Sequence, residues 1–359
     1  MVDYPPKYLD GYYSPNNRST VDNAYIAEAA DAMAFIATAV GKAADAAKYA
    51  AVAAKIRATV LARLFDASTG LFVDGDESNH SALAAQYFPA AFGFVGNGTR
   101  SGAGGAGGAP AAAGVENVKP ILDLIENKTI ARASEPACSC MGGHWLLQAL
   151  YNIGSSTTDA AQGARAAAIA QAFIESPWTW RLMLAAGATT TMEVWTTHDK
   201  PNLSWSHPWC SAPANAIPRL LMGVAPIAMD YARVQVFPQP GNLTTAVLSL
   251  PTKHGVIGVA VNQTARAITA TIAIPEGIAA YVCLPPTGVG ISAESKAGHV
   301  ANGAQIQVVP SSPSTATSML SVDGVQVASP RVQGRMLCVP DDLSGNHVVA
   351  RVEGGGLKV

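Results

Sequence analysis

The sequence is poor in charge. Asp, Glu, Lys and Arg make up 13% of it, about half of the ~25% usual for a globular chain. The two signs nearly cancel, to a net charge of -2, with no basic block and no acidic tail, so electrostatics favours neither nucleic acid nor an anionic membrane as partner. Long apolar runs are missing too: none reaches the ~18 residues that span a bilayer. The opening residues, Met1 to Tyr13, are polar and proline-containing rather than signal-like, which makes the cytoplasm the default expectation. Cysteine is sparse and odd in number. Cys138, Cys140, Cys210, Cys283 and Cys338 argue against a disulfide framework and are expected to be buried thiols. Cys138 and Cys140 lie near His144, but one intervening residue is fewer than a zinc pair uses and no second pair follows, so no metal is expected. No Gly-x-Ser-x-Gly elbow is present. The glycine run at 103–108 has neither the strand nor the helix that flanks a nucleotide-binding loop. Neither a standard α/β-hydrolase nor any cofactor is expected.

What remains is a chain that is 49% hydrophobic and rich in alanine, the composition of closely packed helices and not of a disordered chain. After a loop-like start, Thr20 or Asp22 can cap a helix running to about Val40, with Gly41 where a C-terminal glycine belongs. A second helix is expected over 43–64, with apolar positions at three- and four-residue steps. The segment DASTGLFVDGD reads as a tight connection or small hairpin. Further helices are expected at about 81–92, 115–126, 139–153, 158–175 and 177–186, and one within 207–223. Residues 96–114 (GNGTRSGAGGAGGAPAAAG) are of low complexity and read as a flexible surface loop, because glycine at this density loses too much backbone entropy on folding.

Near Val224 the text changes. Short β-branched runs (VQVFP, TAVLSL, VIGVAV, ITATIAI, YVCLP, HVVARV) are separated by Gly, Pro, Asn and Asp, the pattern of an antiparallel β-sandwich. Two domains follow: residues 1–223, a mainly α array of hairpins, and residues 224–359, all β. Bundle and α/α toroid stay open at this level.

Tryptophan is absent before Trp145 and after Trp209. The stretch ATTTMEVWTTHDKPNLSWSHPW packs Glu193, Trp195, His198, Asp199, Trp205, His207 and Trp209 into one window. Flat aromatic faces suit the C–H faces of sugar rings, and carboxylates and imidazoles suit their hydroxyls; tryptophans also cluster in cores. Glycoside cleavage needs two carboxyl groups, one to protonate the leaving oxygen and one to act as nucleophile or to activate water. Glu193 is the natural candidate for one. Its neighbours Met192, Val194 and Trp195 are expected to raise its pKa by desolvation, with His207 to orient it. His144 is a sugar contact or a core histidine. Trp178 and Trp180 are split evenly between sugar stacking and core packing. Six Asn-x-Ser/Thr sequons, at Asn17, Asn97, Asn127, Asn202, Asn242 and Asn262, carry little weight without a eukaryotic secretory route.

The ordered run AGATTTMEVW, KPNLSWSHPW and SAPANAIPRLLMGVAP resembles the signature of the bacterial α-L-rhamnosidases, glycoside hydrolase family 78. VDYPPKYLDGYY, CSCMGGHWLLQALYNIG, WTWRLMLAAGATT, VQVFPQPGNL and LPTKHGVIGV extend the resemblance over nearly the whole chain. It implies an (α/α)6 six-hairpin barrel followed by a β-sandwich, and inverting removal of terminal α-L-rhamnose from glycosides or oligosaccharides. It also implies that Glu193 is the general base and that His207 lies at the sugar subsite. Asp3 and Tyr4 stand where the family has an aspartate followed by a pocket aromatic, usually tryptophan. Trp195, Trp205, Trp209, Trp180 and His144 complete the expected sugar-facing set. The family's general acid lies in a motif that precedes the Asp-Tyr-Pro-like segment with which this chain opens. The barrel is therefore expected to be incomplete at its N-terminus, roughly the C-terminal two-thirds of it. Asp10, Glu135 and Asp199 are the candidate replacement acids. The alternative is a catalytically weak or inactive sugar-binding relic or truncated product. Apolar helix flanks left open by an incomplete toroid predict a homo-oligomer.

Overall fold

The computed structural model describes residue 3 and residues 5–96, 114–286, 319–327, 330–333, 336–339 and 342–352. Tyr4 and nearly all of the glycine-rich loop fall outside these.

The first helix, α1 (Thr20–Ala39), is capped by Ser19 and not by Thr20 or Asp22: the Ser19 hydroxyl accepts the Asp22 N–H at 3.1 Å. Gly41 follows it at φ +74°, the left-handed conformation of a helix C-cap. The chain then turns into α2 (Ala43–Arg63), which packs against α1. Ala24, Ala27, Ala30 and Ala37 are buried on α1, and side chains that end at Cβ let the two axes approach closely. Arg57 of α2 is also buried. Its guanidinium donates to Asp31 and to the Phe92 carbonyl, each at 2.6 Å, as a buried charge requires.

The opposite face of α1 is different. Ile26, Met33, Ile36 and Val40 are exposed. They recur at three-, four- and seven-residue steps and so form one apolar stripe along the helix.

The DASTGLFVDGD segment forms a small hairpin, β1 (Phe65–Asp66) with β2 (Leu71–Phe72). The helices α3 (Leu83–Ala91), α4 (Lys119–Lys128), α5 (Cys140–Ser156), α6 (Ala160–Glu175), α7 (Trp180–Ala185) and α8 (Ala212–Ala216) follow, and a π turn at Ile217–Leu221 continues α8. Helix α5 is central: α3, α6 and α8 all pack on it, and Leu146, Leu147, Leu150, Tyr151 and Ile153 are fully buried.

At Gly223 the chain leaves the helices. Its φ is +69°, and a Cβ there would lie 2.1 Å from the Phe237 carbonyl, so only glycine fits the corner. The strands are β3 (Val224–Pro226), β4 (Arg233–Val236), β5 (Thr245–Thr252), β6 (Gly255–Gln263), β7 (Ala267–Ile274), β8 (Ala279–Leu284), β9 (Met319–Val322), β10 (Val325–Gln326), β11 (Arg331–Gln333), β12 (Met336–Cys338) and β13 (Gly345–Val352). They form a six-stranded sheet, β10-β9-β13-β7-β6-β5, and a five-stranded sheet, β11-β12-β8-β4-β3. Ile257, Val259 and Val261 of β6 and Ile268 and Ile272 of β7 join Val234, Val282 and Leu284 of the other sheet in one core, the two-residue period of a face-packed strand. The sandwich is antiparallel except for β4 and β8, which run parallel with Val234 opposite Ala280.

The cysteines correct the expectation of buried thiols. Cys140 is bonded to Cys210 and Cys283 to Cys338, leaving Cys138 free and buried. Cys283 and Cys338 are register partners on β8 and β12, so strand pairing alone brings them together. The other pair is 70 residues apart in sequence. Spacing rules written for small disulfide scaffolds do not see such a pair, because the fold creates the proximity.

Candidate active site

Glu193 lies in the long connection between α7 and α8. Two strips of that connection are tied to each other. Glu193 N–H donates to the Ser204 carbonyl at 3.0 Å and His207 N–H to the Thr191 carbonyl at 2.8 Å, while the Thr191 hydroxyl donates to the His207 carbonyl at 2.8 Å. Glu193 and His207 are thereby held on facing strips of one loop.

The foot of the loop is anchored in the core. Trp195 is fully buried and donates its indole N–H to the Cys138 carbonyl at 2.7 Å; Trp180, also buried, donates to the Cys210 carbonyl at 2.6 Å. Their rings, with Phe173, meet edge to face. Trp180 and Trp195 are therefore pillars of the loop: Trp195 is buried where a sugar-facing ring was expected, and Trp180 takes the core-packing alternative. Met192 and Val194, on either side of Glu193, are likewise buried. The Cys140–Cys210 disulfide lies against the Glu193 backbone, with its sulfurs 3.2 and 3.6 Å from the Glu193 carbonyl oxygen.

The Glu193 carboxylate itself does not behave as its flanks suggest. Lys200 Nζ donates to Oε1 at 2.5 Å and the Ser204 N–H donates to Oε2 at 3.1 Å. The Lys200 hydrogen bond, opposed by desolvation and helped by the Ser204 N–H and by the charges of Lys200 and His207, holds the carboxyl below its ordinary pKa. The expected rise is corrected to a fall: apolar neighbours in sequence point inward, while the carboxylate points to a lysine seven residues on.

Of the expected sugar-facing residues, Trp205 and Trp209 are exposed, at 47% and 68%, and can present an aromatic face. Trp209 meets the half-buried His207 edge to face at 5.6 Å. His144, on α5, is half-buried against Trp145, and burial, with Arg219 nearby, lowers its pKa, so it is neutral at pH 7. Asp3 is buried and accepts the Ser139 N–H at 2.9 Å, at the start of α5; it ties the N-terminal segment to that helix and does not face a sugar. Tyr4 lies outside the described residues.

The three candidate acids have other partners. Asp10 accepts the Leu83 N–H at 2.9 Å, at the start of α3, and Lys128 Nζ at 2.8 Å. The Asp199 carboxylate accepts from Lys7 Nζ and from the buried Tyr8 hydroxyl. Burial pushes Asp199 up, but these two donors outweigh it and its pKa is lowered. An acid must carry a proton, and the lowered pKa of Asp199 works against its holding one. Glu135, half-buried ahead of α5, bears electrostatically on Tyr8. Among the described residues no group of three His, Cys, Asp or Glu side chains is gathered as a metal site would need. No described helix is long and apolar enough to cross a membrane.

Sequence reading missed Lys200, Lys7, Tyr8 and the Cys140–Cys210 bond. The quoted motifs VDYPPKYLDGYY, CSCMGGHWLLQALYNIG and KPNLSW contain Lys7, Tyr8, Cys140 and Lys200, but nothing in them marks these residues as partners.

The family model described as the bacterial alpha-L-rhamnosidase six-hairpin glycosidase domain matches residues 1–221, and that of the bacterial alpha-L-rhamnosidase C-terminal domain matches residues 223–299. Among solved structures, the alpha-L-rhamnosidase from Dictyoglumus thermophilum superposes with a TM-score of 0.61 at 14% identity, over 92% of this chain and 31% of that one. The Streptomyces avermitilis alpha-L-rhamnosidase complexed with L-rhamnose gives 0.58 at 19% identity, over 98% and 28%. A glycoside hydrolase family 78 rhamnosidase of Bacillus sp. GL1 gives 0.52 at 20% identity, over 76% and 28%. The chain thus spans about a third of the length of the structures it resembles, and at these identities the likeness is one of fold. A comparison with curated proteins finds no match. By its helical domain and the sheet domain that follows, the chain belongs to the bacterial α-L-rhamnosidase six-hairpin glycosidase family.

Proposed function

We propose that the chain acts on a terminal α-L-rhamnosyl group of a glycoside or oligosaccharide, with Glu193 as general base of an inverting hydrolysis. The observation that carries this reading is the loop itself. It sets an ionised carboxylate, His207 and two exposed tryptophans, Trp205 and Trp209, within one pinned segment. In the reaction Glu193 takes a proton from a water as that water attacks the anomeric carbon from the face opposite the aglycone; the bond from that carbon to the glycosidic oxygen breaks, and the leaving oxygen takes its proton from solvent water. A carboxylate has about four lone-pair sites, so Glu193 can accept from that water while Lys200 and Ser204 donate to it.

A second reading has its own support. Asp10 and Asp199 are both paired with lysines, and the chain then binds the sugar with little or no turnover. The two readings separate on one assay: hydrolysis of 4-nitrophenyl α-L-rhamnoside by the chain and by Glu193→Gln, with the first-formed anomer of rhamnose followed by NMR. Turnover lost in the variant, with inverted product, supports the base. No turnover in either protein, with rhamnose bound, supports the binding reading.

For partners we propose a second copy of the chain. The exposed stripe of Ile26, Met33 and Ile36 on α1, extended by Val40 at its C-cap, supports self-association through that helix.

A further inference from the structure

Beyond the base itself, we infer that Lys200 is the positioning residue of this site: it holds the Glu193 carboxylate in one orientation, and is itself held by the clamp of Lys7 and Tyr8 on Asp199. The inference rests on the reading of Glu193 as the base.

The geometry is that of a braced pair and not of a loose surface contact. Glu193 and Lys200 side chains are each only 18% exposed, and Lys200 Nζ is 2.5 Å from Oε1. The second oxygen is taken by a backbone donor, Ser204 N–H, so both ends of the carboxylate are aimed and rotation about its last bond is blocked. Ordinary exposed pairs add little because two long side chains must be ordered to make them. Here the ordering is done elsewhere. The residue before Lys200, Asp199, has a side chain only 6% exposed and is bound by Lys7 and Tyr8 of the short turn Pro6–Tyr8. That turn lies close in sequence to Asp3, which is tied to the start of α5. Adjacent residues 199 and 200 therefore link the N-terminal segment on one side to the Glu193 carboxylate on the other.

The chemical consequence is twofold. A base fixed by two donors is presented to water at one orientation, which removes a search that a free side chain would have to make in each turnover. A lysine at that distance also keeps the carboxylate ionised at pH values where an ordinary glutamate takes up a proton. Among the described residues, the titratable groups that lower the Glu193 pKa include Lys200 and His207, both of its own loop. The nearest contribution from α5 and from the turn before α8 is the Cys140–Cys210 disulfide, which does not titrate.

The test is a titration of the Glu193 carboxyl by 13C NMR in chain labelled at the glutamate side-chain carboxyls, assigned by the signal lost in Glu193→Gln. It is run on the wild type and on Lys200→Met, Lys200→Gln and Lys200→Arg. The same proteins are assayed on 4-nitrophenyl α-L-rhamnoside across pH. The midpoint is expected to rise to the ordinary carboxylate range in Lys200→Met and Lys200→Gln and to return in Lys200→Arg. The acid limb of kcat/KM should move with it, and kcat should fall by about ten- to a hundredfold with KM little changed. Lys200→Gln keeps a donor without the charge and guards against a Met variant that fails to fold. An unchanged midpoint in both uncharged variants overturns the inference. Midpoints that move while kcat and the acid limb stay put overturn it as well. Absence of hydrolysis from the wild type overturns the base reading, and the positioning role with it, while the titration still reports the pairing.

Discussion

Trp180 and Trp195 meet edge to face with their ring centroids 5.0 Å apart, and each gives its indole N–H to the carbonyl of a cysteine, Trp180 to Cys210 and Trp195 to Cys138. The two rings hold the foot of the Glu193 loop. Trp195→Ala is expected to cost about 3–5 kcal/mol of stability, the range for deleting a large buried aromatic. Trp195→Phe, which loses mainly the hydrogen bond, leaves a buried carbonyl short of a donor and costs about 1–3 kcal/mol. Urea unfolding of both variants checks the order. If the two cost the same small amount, Trp195 is not a pillar.

The Cys140–Cys210 bond closes a loop that contains α6, α7 and the segment that carries Glu193 and His207. Removing it by Cys140→Ser is expected to lower stability by about 2–4 kcal/mol, and to lower turnover further because its sulfurs pack against the Glu193 carbonyl. Thermal melts with and without a reductant measure the first effect. Thiol counting on unreduced, denatured protein should find Cys138 alone reactive; five reactive thiols would mean that neither bond forms.

Acid should loosen the N-terminal clamp. Asp199 has its pKa lowered in the fold, so its pairing with Lys7 and Tyr8 stabilises at pH above the unfolded-state carboxyl pKa and is lost as pH falls through the lower folded value. Asp199→Asn should therefore be less stable than the wild type at neutral pH and converge with it in strong acid. A constant stability gap between pH 7 and pH 2, read from denaturant midpoints, would remove Asp199 from this role.

Substrate reactivity should matter more here than in a site with a free acid. With Asp10 and Asp199 committed to lysines, turnover of an activated aryl rhamnoside is expected to exceed that of a natural disaccharide by more than the ~10²–10⁴-fold that general acid help typically supplies. Comparable kcat/KM values on the two substrates would place a working acid in the site.

The stripe on α1 makes the self-association proposal testable. Sedimentation of the chain at micromolar concentration should give a dimer or larger species, and Ile36→Glu, a charge at the centre of the stripe, should shift it toward monomer. A monomeric wild type would sink the proposal.

Most of the fold was legible because it is written in local periodicity. The helix between Ala43 and Arg63 and the strands of the VIGVAV and ITATIAI runs follow from three- to four-residue and two-residue spacing, and Gly41 from the turn that only a positive φ allows. Glu193, His207, Trp205 and Trp209 stood out because a motif places them close together in the chain. Other features could not be read that way. Trp195 lies two residues from Glu193 yet faces the core, where its indole N–H reaches the Cys138 carbonyl. Asp3 and Asp199 read as sugar or acid residues, but their partners are Ser139, Lys7 and Tyr8, residues distant in sequence.

By itself, then, the sequence determined the element types, their order, the family and the window proposed for the site, all of which depend on neighbours along the chain. Tertiary structure decided which cysteines join, which tryptophans are buried and which way the Glu193 pKa moves. Those depend on groups that only folding brings within a few ångströms of one another, where hydrogen bonds and charge override what the local composition suggests.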